Sequence, residues 1–409
     1  MTRSPAPTPT PSSSSSPSSS PFASFADGLD PVPPELAASC RRLREQVRAF
    51  LADELAAGRF VPRCDAWLSG WDPDFSRRLA ERGWVGMTIP AEYGGGGRGL
   101  PERHVVTVEL LAAGAPVAAH WIADRQTAPS LLRFGGEAVK RRFLPAISRG
   151  ECFFAIGMSE PDSGSDLASV RTRAVPTDGG WLVEGRKVWT SGAHRAHAFF
   201  VLCRTGERGA DRHAGLSQLI VPLDAPGVEI RPIRLLTGEE HFNEVILDRV
   251  FVPHEMVLGE IGAGWHQVTS ELAVERSGPE RFMSTYPLLV ALVERLRATG
   301  RHDNGELGEL GELFAELLVL RRLSWSIACR MERGGSPEVD AALVKDLGTA
   351  FERKVVEAAR RLAPAEPDIT AADPYERLLA EAVLHTPGFT LRGGTTEILR
   401  QIVARALLR

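Results

Sequence analysis

The stretch Phe153-Phe154-Ala155-Ile156-Gly157-Met158-Ser159-Glu160-Pro161-Asp162-Ser163-Gly164-Ser165-Asp166 decides how this chain is read. Its apolar opening predicts a buried strand, and the Ser, Gly and Pro that follow predict a loop. Such a loop offers backbone N–H groups and small hydroxyls to a ligand. Downstream lies a second stretch, Lys187-Val188-Trp189-Thr190-Ser191-Gly192-Ala193. Around the two, segments 172–175, 181–189, 198–204, 216–221 and 228–233 are short, partly alternating and rich in Val, Ile, Phe and Trp, with turn signals such as Asp178-Gly179-Gly180. Closely spaced strands without intervening helices predict an antiparallel barrel or sandwich.

The flanks have a different period. Leu36, Cys40, Leu43, Val47, Leu51 and Leu55 recur at steps of three and four, an amphipathic helical stripe. Gly83, Pro90 and Gly94 to Gly97 interrupt it with a loop, and helical pattern returns over 105–118 and 129–148. From Gly262 to the end the helical period resumes. The fold class predicted is α+β and multidomain: an N-terminal helical domain over 29–150, a middle antiparallel β-barrel domain over 151–262 and a C-terminal helical-bundle domain over 263–409. The Ser/Pro-rich tail over 1–28 predicts disorder.

With 409 residues, 43% hydrophobic and 24% charged, the chain has the composition of a globular protein with substantial cores. A net charge of −4 argues against a nucleic-acid surface. Cys40, Cys64, Cys152, Cys203 and Cys329 are odd in number and scattered, so they read as buried thiols in a reducing compartment with no metal site. No apolar run approaches the ~20 residues of a membrane helix, and the tail has no secretory apolar segment. The expected location is cytoplasmic, without membrane insertion.

The two quoted stretches, in their order and spacing, resemble the paired flavin-binding segments of the acyl-CoA dehydrogenase family, and the helical–β–helical order agrees. The resemblance covers nearly everything after the tail. It implies FAD as cofactor, with Met158 and Ser159 at the pyrimidine edge and Ser165 near phosphates and substrate. Trp189 would pack on the ring, beside Thr190, and Ser191 would meet N5. The structural alternatives are a core tryptophan at 189 and turn-capping serines at 159 and 165. A third stretch, Arg392-Gly393-Gly394-Thr395-Thr396-Glu397-Ile398-Leu399-Arg400, reads as a helix N-terminus with free N–H groups. Thr395 as N-cap and Glu397 in the first turn account for it structurally. In the family this turn approaches flavin and substrate, so Gly394, Thr395 and Glu397 become cofactor candidates and Gly393 a substrate contact.

The implied chemistry removes an α-proton from an acyl thioester while hydride leaves the β-carbon. Such a weak acid needs a positioned, partly desolvated carboxylate and donors for the enolate oxygen. Many family members carry this Glu where the present chain has Gly393. A smaller set, including isovaleryl- and long-chain-type enzymes, places it on a C-terminal helix before an Arg, matching Leu272-Ala273-Val274-Glu275-Arg276. Trp265, Val268 and Leu272 step along one helix face and Glu275 is the next position on it. A carboxylate there is costly unless paired or used, so Glu275 is the candidate base, with a structural ion pair as the alternative. Arg276 is a candidate for ordering the site or the CoA portion. Pro279 and Pro287 predict an interruption after this helix.

Two family features are missing. The segment 297–304 lacks the Phe-Gly that usually follows its Arg and contacts FAD across a subunit boundary in the family, and 361–368 lacks the family's Gln and Gly-Gly loop near the FAD pyrophosphate. This pattern resembles an actinobacterial branch acting on bulky thioesters such as steroid side chains, which includes hetero-oligomers. The implied partners are an acyl-CoA or acyl-carrier substrate, an electron-transfer flavoprotein as acceptor, and like or unlike subunits. Alternatives are a non-catalytic or half-site partner subunit that completes a paralogue's flavin site, or a flavin oxidase or monooxygenase on the same fold.

Overall fold

The computed structural model describes residues 33–207, 211–300 and 303–408; the tail over 1–28 lies outside them. Proline in the first turn loses no hydrogen bond, and Pro34 opens helix α1 (Pro34–Ala56). Its buried stripe is Cys40, Leu43, Val47, Phe50 and Leu51. The predicted stripe slips at its end, where Leu55 is exposed and Glu54 is buried instead. The Glu54 carboxylate is held 2.5 Å from Arg59 and 2.9 Å from Arg78, which is why burial there is tolerated. A loop separates α2 (Pro73–Glu81) from α3 (Leu100–Ala112), whose residues 103–111 are all buried. A helix buried all round belongs at the centre of a core. There follow α4 (Ala118–Ile122), a π-helical turn (Ala123–Thr127), α5 (Ala128–Phe134) and α6 (Glu137–Ser148).

The strands are β1 (Phe154–Gly157), β2 (Arg173–Thr177), β3 (Gly180–Ser191), β4 (Ala198–Arg204), β5 (Leu216–Pro222), β6 (Val228–Ile233) and β7 (Phe242–Pro253). They form one seven-stranded sheet in the order β1-β4-β2-β3-β7-β6, with β5 also on β4. The wholly antiparallel expectation needs correcting at two junctions: β1 joins β4 in parallel, because the intervening chain crosses over through β2 and β3, and β2 meets β4 in parallel at Arg173 and Arg204. Strand β7 was not legible in the sequence. Its alternation breaks at Leu247-Asp248-Arg249, where Arg249 has φ +49° and turns the strand. Strands β4 and β5 are buried on both faces and read as continuous apolar runs. One face packs under Leu131, Phe143, Leu144 and Ile147 of α5 and α6.

The chain then returns to helices: α7 (Gly264–Ser277), a 3-10 turn (Pro279–Arg281), α8 (Tyr286–Thr299), α9 (Asn304–Glu332), α10 (Glu338–Leu362), α11 (Pro374–Phe389) and α12 (Thr396–Leu407). The two prolines end elements cleanly: α7 stops at Ser277, and Pro287 sits in the first turn of α8. Helices α1 to α3 share one core with α8 to α11, built around residues such as Leu43, Val106, Phe282, Leu289 and Phe351. Of the five cysteines, Cys329 is only half-buried, a correction to the uniform burial expected. Among the described residues, no helix is long and apolar enough to cross a membrane.

A fully buried ion pair welds the loop after β1 to β3. Lys187 Nζ lies 2.8 Å from Glu160 Oε1 and 3.1 Å from the Met158 carbonyl, and Glu160 also accepts from the amides of Arg171 and Thr172. Removing one partner leaves the other charge stranded in the interior. Lys187→Met is expected to lower unfolding free energy by about 3–5 kcal/mol in urea titrations, and Lys187→Met combined with Glu160→Gln to recover part of that loss. An equal loss in the single and double variants would show that the pair is not coupled.

Candidate functional site

The two stretches singled out in the sequence lie side by side. Val188 N donates to the Ser159 carbonyl at 2.9 Å, and Lys187 reaches the Met158 carbonyl. A β-bulge between Lys187 and Thr190 puts Trp189 at φ +61°, and its indole is 54% exposed. A bulge re-aims a side chain, and a bulky residue with positive φ is held there by its surroundings. This excludes the core reading for Trp189. Its ring meets Phe242 edge-on at 5.8 Å and leaves a face open. Thr190 is fully buried and its Oγ1 has no partner among the described residues. Asn243 Nδ2 holds the Thr190 carbonyl at 2.9 Å. Ser191 is half-buried at the end of β3, while Ser165 is exposed on the loop; the buried hydroxyl of that loop is Ser163, bonded to Ser169 at 2.9 Å. An open aromatic face, an orphaned buried hydroxyl and a ledge of backbone beside Met158 and Ser159 suit a flat heteroaromatic ring with polar edges.

Helix α7 connects this ledge to the second cluster. Its Trp265, Val268 and Leu272 pack with Met158, Leu167, Leu202 and Leu216, so the predicted stripe faces the flavin-type loop. One turn further, Glu275 emerges from that stripe half-buried. Arg281 Nη2 donates to Glu275 Oε1 at 2.5 Å, and Arg281 Nε to its backbone carbonyl at 3.1 Å. The Glu275 Oε2 has no hydrogen bond among the described residues. The chain closes on this carboxylate through the turn before α12. Gly393 and Gly394 have φ +67° and +101°, backbone conformations open to glycine. Arg276 Nε donates to the Gly393 carbonyl at 2.8 Å and Lys345 Nζ to the Gly394 carbonyl at 2.9 Å. With both carbonyls held, the Gly393 and Gly394 N–H groups are left without a partner among the described residues. A Cβ at Gly393 would lie 3.1 Å from Glu275 Oε1 and 3.2 Å from Arg281 Nη2. Thr395 precedes α12 but makes no cap through its side chain, and Glu397 is exposed, drawn below the usual carboxylate range by backbone N–H and the Thr395 hydroxyl.

Sequence reasoning missed Arg281 and Lys345. Lys345 stands on the buried face of α10 between Ala341 and Thr349, and burial, then Arg281, holds its pKa down to about 7. A lysine on an apolar stripe was a readable signal of the same kind as Glu275. Arg281 was marked only by a second Glu-Arg pair, Glu280-Arg281, just past Pro279.

A helical–β–helical chain with a ledge suited to a flat ring, and a carboxylate packed against a glycine turn, has a flavoenzyme-type architecture. The comparisons agree. Family models match for the acyl-CoA dehydrogenase N-terminal domain over residues 38–151, the middle domain over 155–250 and the C-terminal domain over 262–408. The acyl-CoA dehydrogenase IpdE1 of Mycobacterium tuberculosis is 35% identical over 89% of this chain and 96% of its own. FadE34 of the same organism is 35% identical over 81% of this chain, which spans only 45% of that longer relative. Among solved structures, the Tcur3481-Tcur3483 steroid ACAD superimposes with a TM-score of 0.79 at 29% identity, covering 93% of this chain and 98% of that one. The ChsE4-ChsE5 complex from Mycobacterium tuberculosis gives 0.74 at 28%, covering 93% and 98%. The chain belongs to the acyl-CoA dehydrogenase family, whose cofactor is FAD.

Glu271, one turn before Glu275 on α7, is buried against β5 with only Gln218 Nε2 near it, at 3.4 Å. Burial, opposed by Gln218 and aided by Glu275, pushes its pKa up to about 8. The folded state therefore binds a proton that the unfolded chain releases near pH 4.5. That stability is complete below the unfolded value and is lost as pH rises through about 8. Glu271→Gln is expected to remove on the order of 3 kcal/mol of this slope between pH 5 and 8 in denaturant titrations. An unchanged slope would locate the titration elsewhere.

Proposed function

We propose that the chain is an FAD-dependent acyl-CoA dehydrogenase that converts an acyl-CoA thioester to the trans-2-enoyl thioester, with Glu275 as the α-proton acceptor. The observation that carries this reading is the approach of Gly393 to Glu275. The position where many relatives carry a carboxylate points, Cβ first, at the Glu275 carboxylate, so the two placements of the base converge on one point. The substrate carbonyl accepts from the free N–H of Gly393, which draws electron density toward oxygen and acidifies the α-C–H. The proton passes to Glu275 Oε2 while Arg281 fixes Oε1, holding the carboxylate in one orientation. Arg276 and Lys345 keep the turn in place through its two carbonyls. Met158, Ser159, Ser165, Trp189, Thr190, Ser191, Gly394, Thr395 and Glu397 would hold FAD, which when bound would supply the acceptor for the hydride of the β-carbon.

We further assign the unit boundaries near residues 150 and 262, a cytoplasmic location, and an electron-transfer flavoprotein as the downstream acceptor. Oligomerisation is supported by exposed Phe314, Leu318 and Val319 on α9 and Leu407 and Leu408 at the C-terminal end. A second reading, a half-site subunit that completes a paralogue's FAD site, is favoured by the lost motifs at 297–304 and 361–368.

Anaerobic titration with acyl-CoAs is expected to bleach the flavin of the wild type. Glu275→Gln is expected to slow bleaching about a thousandfold while thioester binding persists. Bleaching of this variant at the wild-type rate would remove Glu275 from the reaction. A protein that takes up FAD only after mixing with a family paralogue would favour the half-site reading.

A further inference from the structure

The glycine turn before α12 rests on a buried lysine. Lys345 stands on the buried face of α10 and is 1% exposed. Its Nζ donates to the Gly394 carbonyl at 2.9 Å and makes no ion pair among the described residues. The adjacent carboxylate, Asp346, is bound instead to Arg400 of α12 at 3.0 Å. An interior ammonium bonded to a carbonyl, with no counter-ion in contact, is costly, so its neutral form is favoured.

The charged groups that act on it come from the surrounding elements: Glu275 and Arg276 of α7, Arg281 of the 3-10 turn and Arg392 ahead of α12. Burial, then Arg281, opposes the ammonium while Glu275 favours it, and the balance brings its pKa down to about 7. The arginines keep their charge at neutral pH, whereas Lys345 can give its charge up. The geometry ties that charge to the candidate base. The point where a Cβ on Gly393 would stand is 3.1 Å from Lys345 Cε, 3.1 Å from Glu275 Oε1 and 3.2 Å from Arg281 Nη2. Lysine and carboxylate therefore wall the same small space, with Arg281 already held on Oε1.

An ammonium in that wall stabilises the ionised carboxylate, the form that disappears as Glu275 takes up a proton. Stabilising the starting form alone raises the barrier. A neutral amine keeps the hydrogen bond to the Gly394 carbonyl without that effect. We propose that Lys345 is a positioning residue that acts through Glu275: uncharged, it holds the glycine turn and leaves Glu275 a strong base, and charged, it weakens that base. The inference rests on the dehydrogenase reading above, and its test separates the two.

Anaerobic flavin bleaching at saturating acyl-CoA is measured across neutral pH in the wild type, Lys345→Gln and Lys345→Arg. The wild-type rate is expected to rise about tenfold as pH passes through the lysine's titration, the effect of removing one nearby charge. Both variants are expected to lose that rise, with the neutral Lys345→Gln the faster of the two and the permanent cation in Lys345→Arg the slower. A lysine that only propped the turn would leave the wild-type pH profile in place at a lower rate. A second readout needs no turnover and follows the lysine itself. With ε-13C lysine incorporated, one signal is expected to titrate near pH 7 and to be absent from Lys345→Gln. In Glu275→Gln the same signal is expected to titrate about one pH unit lower, because the anion that favours the ammonium is gone. A Lys345 signal that does not titrate near neutrality, one indifferent to Glu275→Gln, or a pH profile unchanged by Lys345→Gln would overturn the proposal. Coupling of the two residues in a protein whose flavin no thioester bleaches would keep Lys345 as the group that sets the charge at Glu275 and remove the dehydrogenase reading.

Discussion

The structure depends on a buried aspartate. Asp65 has φ +55° and its amide is anchored to the Ser284 carbonyl at 2.9 Å. Its carboxylate meets Arg392 at 2.5 Å and lies 3.7 Å from His385. Burial works against the charge, but Arg392 and then His385 outweigh it and hold the carboxyl below its ordinary range. Arg392 is also sandwiched by Trp67 at 4.7 Å and Phe389 at 4.9 Å. Neighbouring contacts extend the network to Glu239 from the β region, through Arg63, and to Glu352 and Glu381 from the last helices. All three parts of the chain meet here. Because Arg392 immediately precedes Gly393, the same clamp fixes the glycine turn against Glu275. The geometry of the site is therefore a product of inter-unit electrostatics and not of its own loop.

Two carboxylates on α7 illustrate how environment divides labour among like groups. Glu271 faces the sheet, finds only a neutral amide and holds its proton. Glu275, one turn on, faces the junction where Arg281, Lys345 and Arg276 gather around the Gly393 turn. The density of cations there suits a site that carries negative charge on carboxylate and developing oxyanion together. The concentration of buried charge explains the strict backbone demands nearby, at Gly278 and Gly393, where a methyl group would press on charged atoms.

How much of this was visible in the sequence follows from the range of each interaction. Periodicity is local, so α1, β4, β6 and the start of α7 could be read off directly, and the two loop segments announced themselves by composition. Glu275 was legible because a charge on an apolar stripe violates a local rule. Strand β7 was hidden by the turn at Arg249, which breaks the alternation on which recognition relies. Arg281 and Asp65 escaped because their meaning lies in partners that are distant in sequence or across an irregular turn. Asp65 lies 327 residues from Arg392, and no local pattern encodes that pairing. The parallel placement of β1 was likewise a matter of topology, which strand-forming residues do not specify.

The meeting of Gly393 and Glu275 also makes the two positions mutually exclusive. A Cβ at 393 would lie 3.1 Å from Glu275 Oε1, so the space that a side chain at 393 would need is already filled by the carboxylate at 275. A carboxylate at both positions would press like charges into one cage. The glycine at 393 and the glutamate at 275 are two halves of a single packing solution.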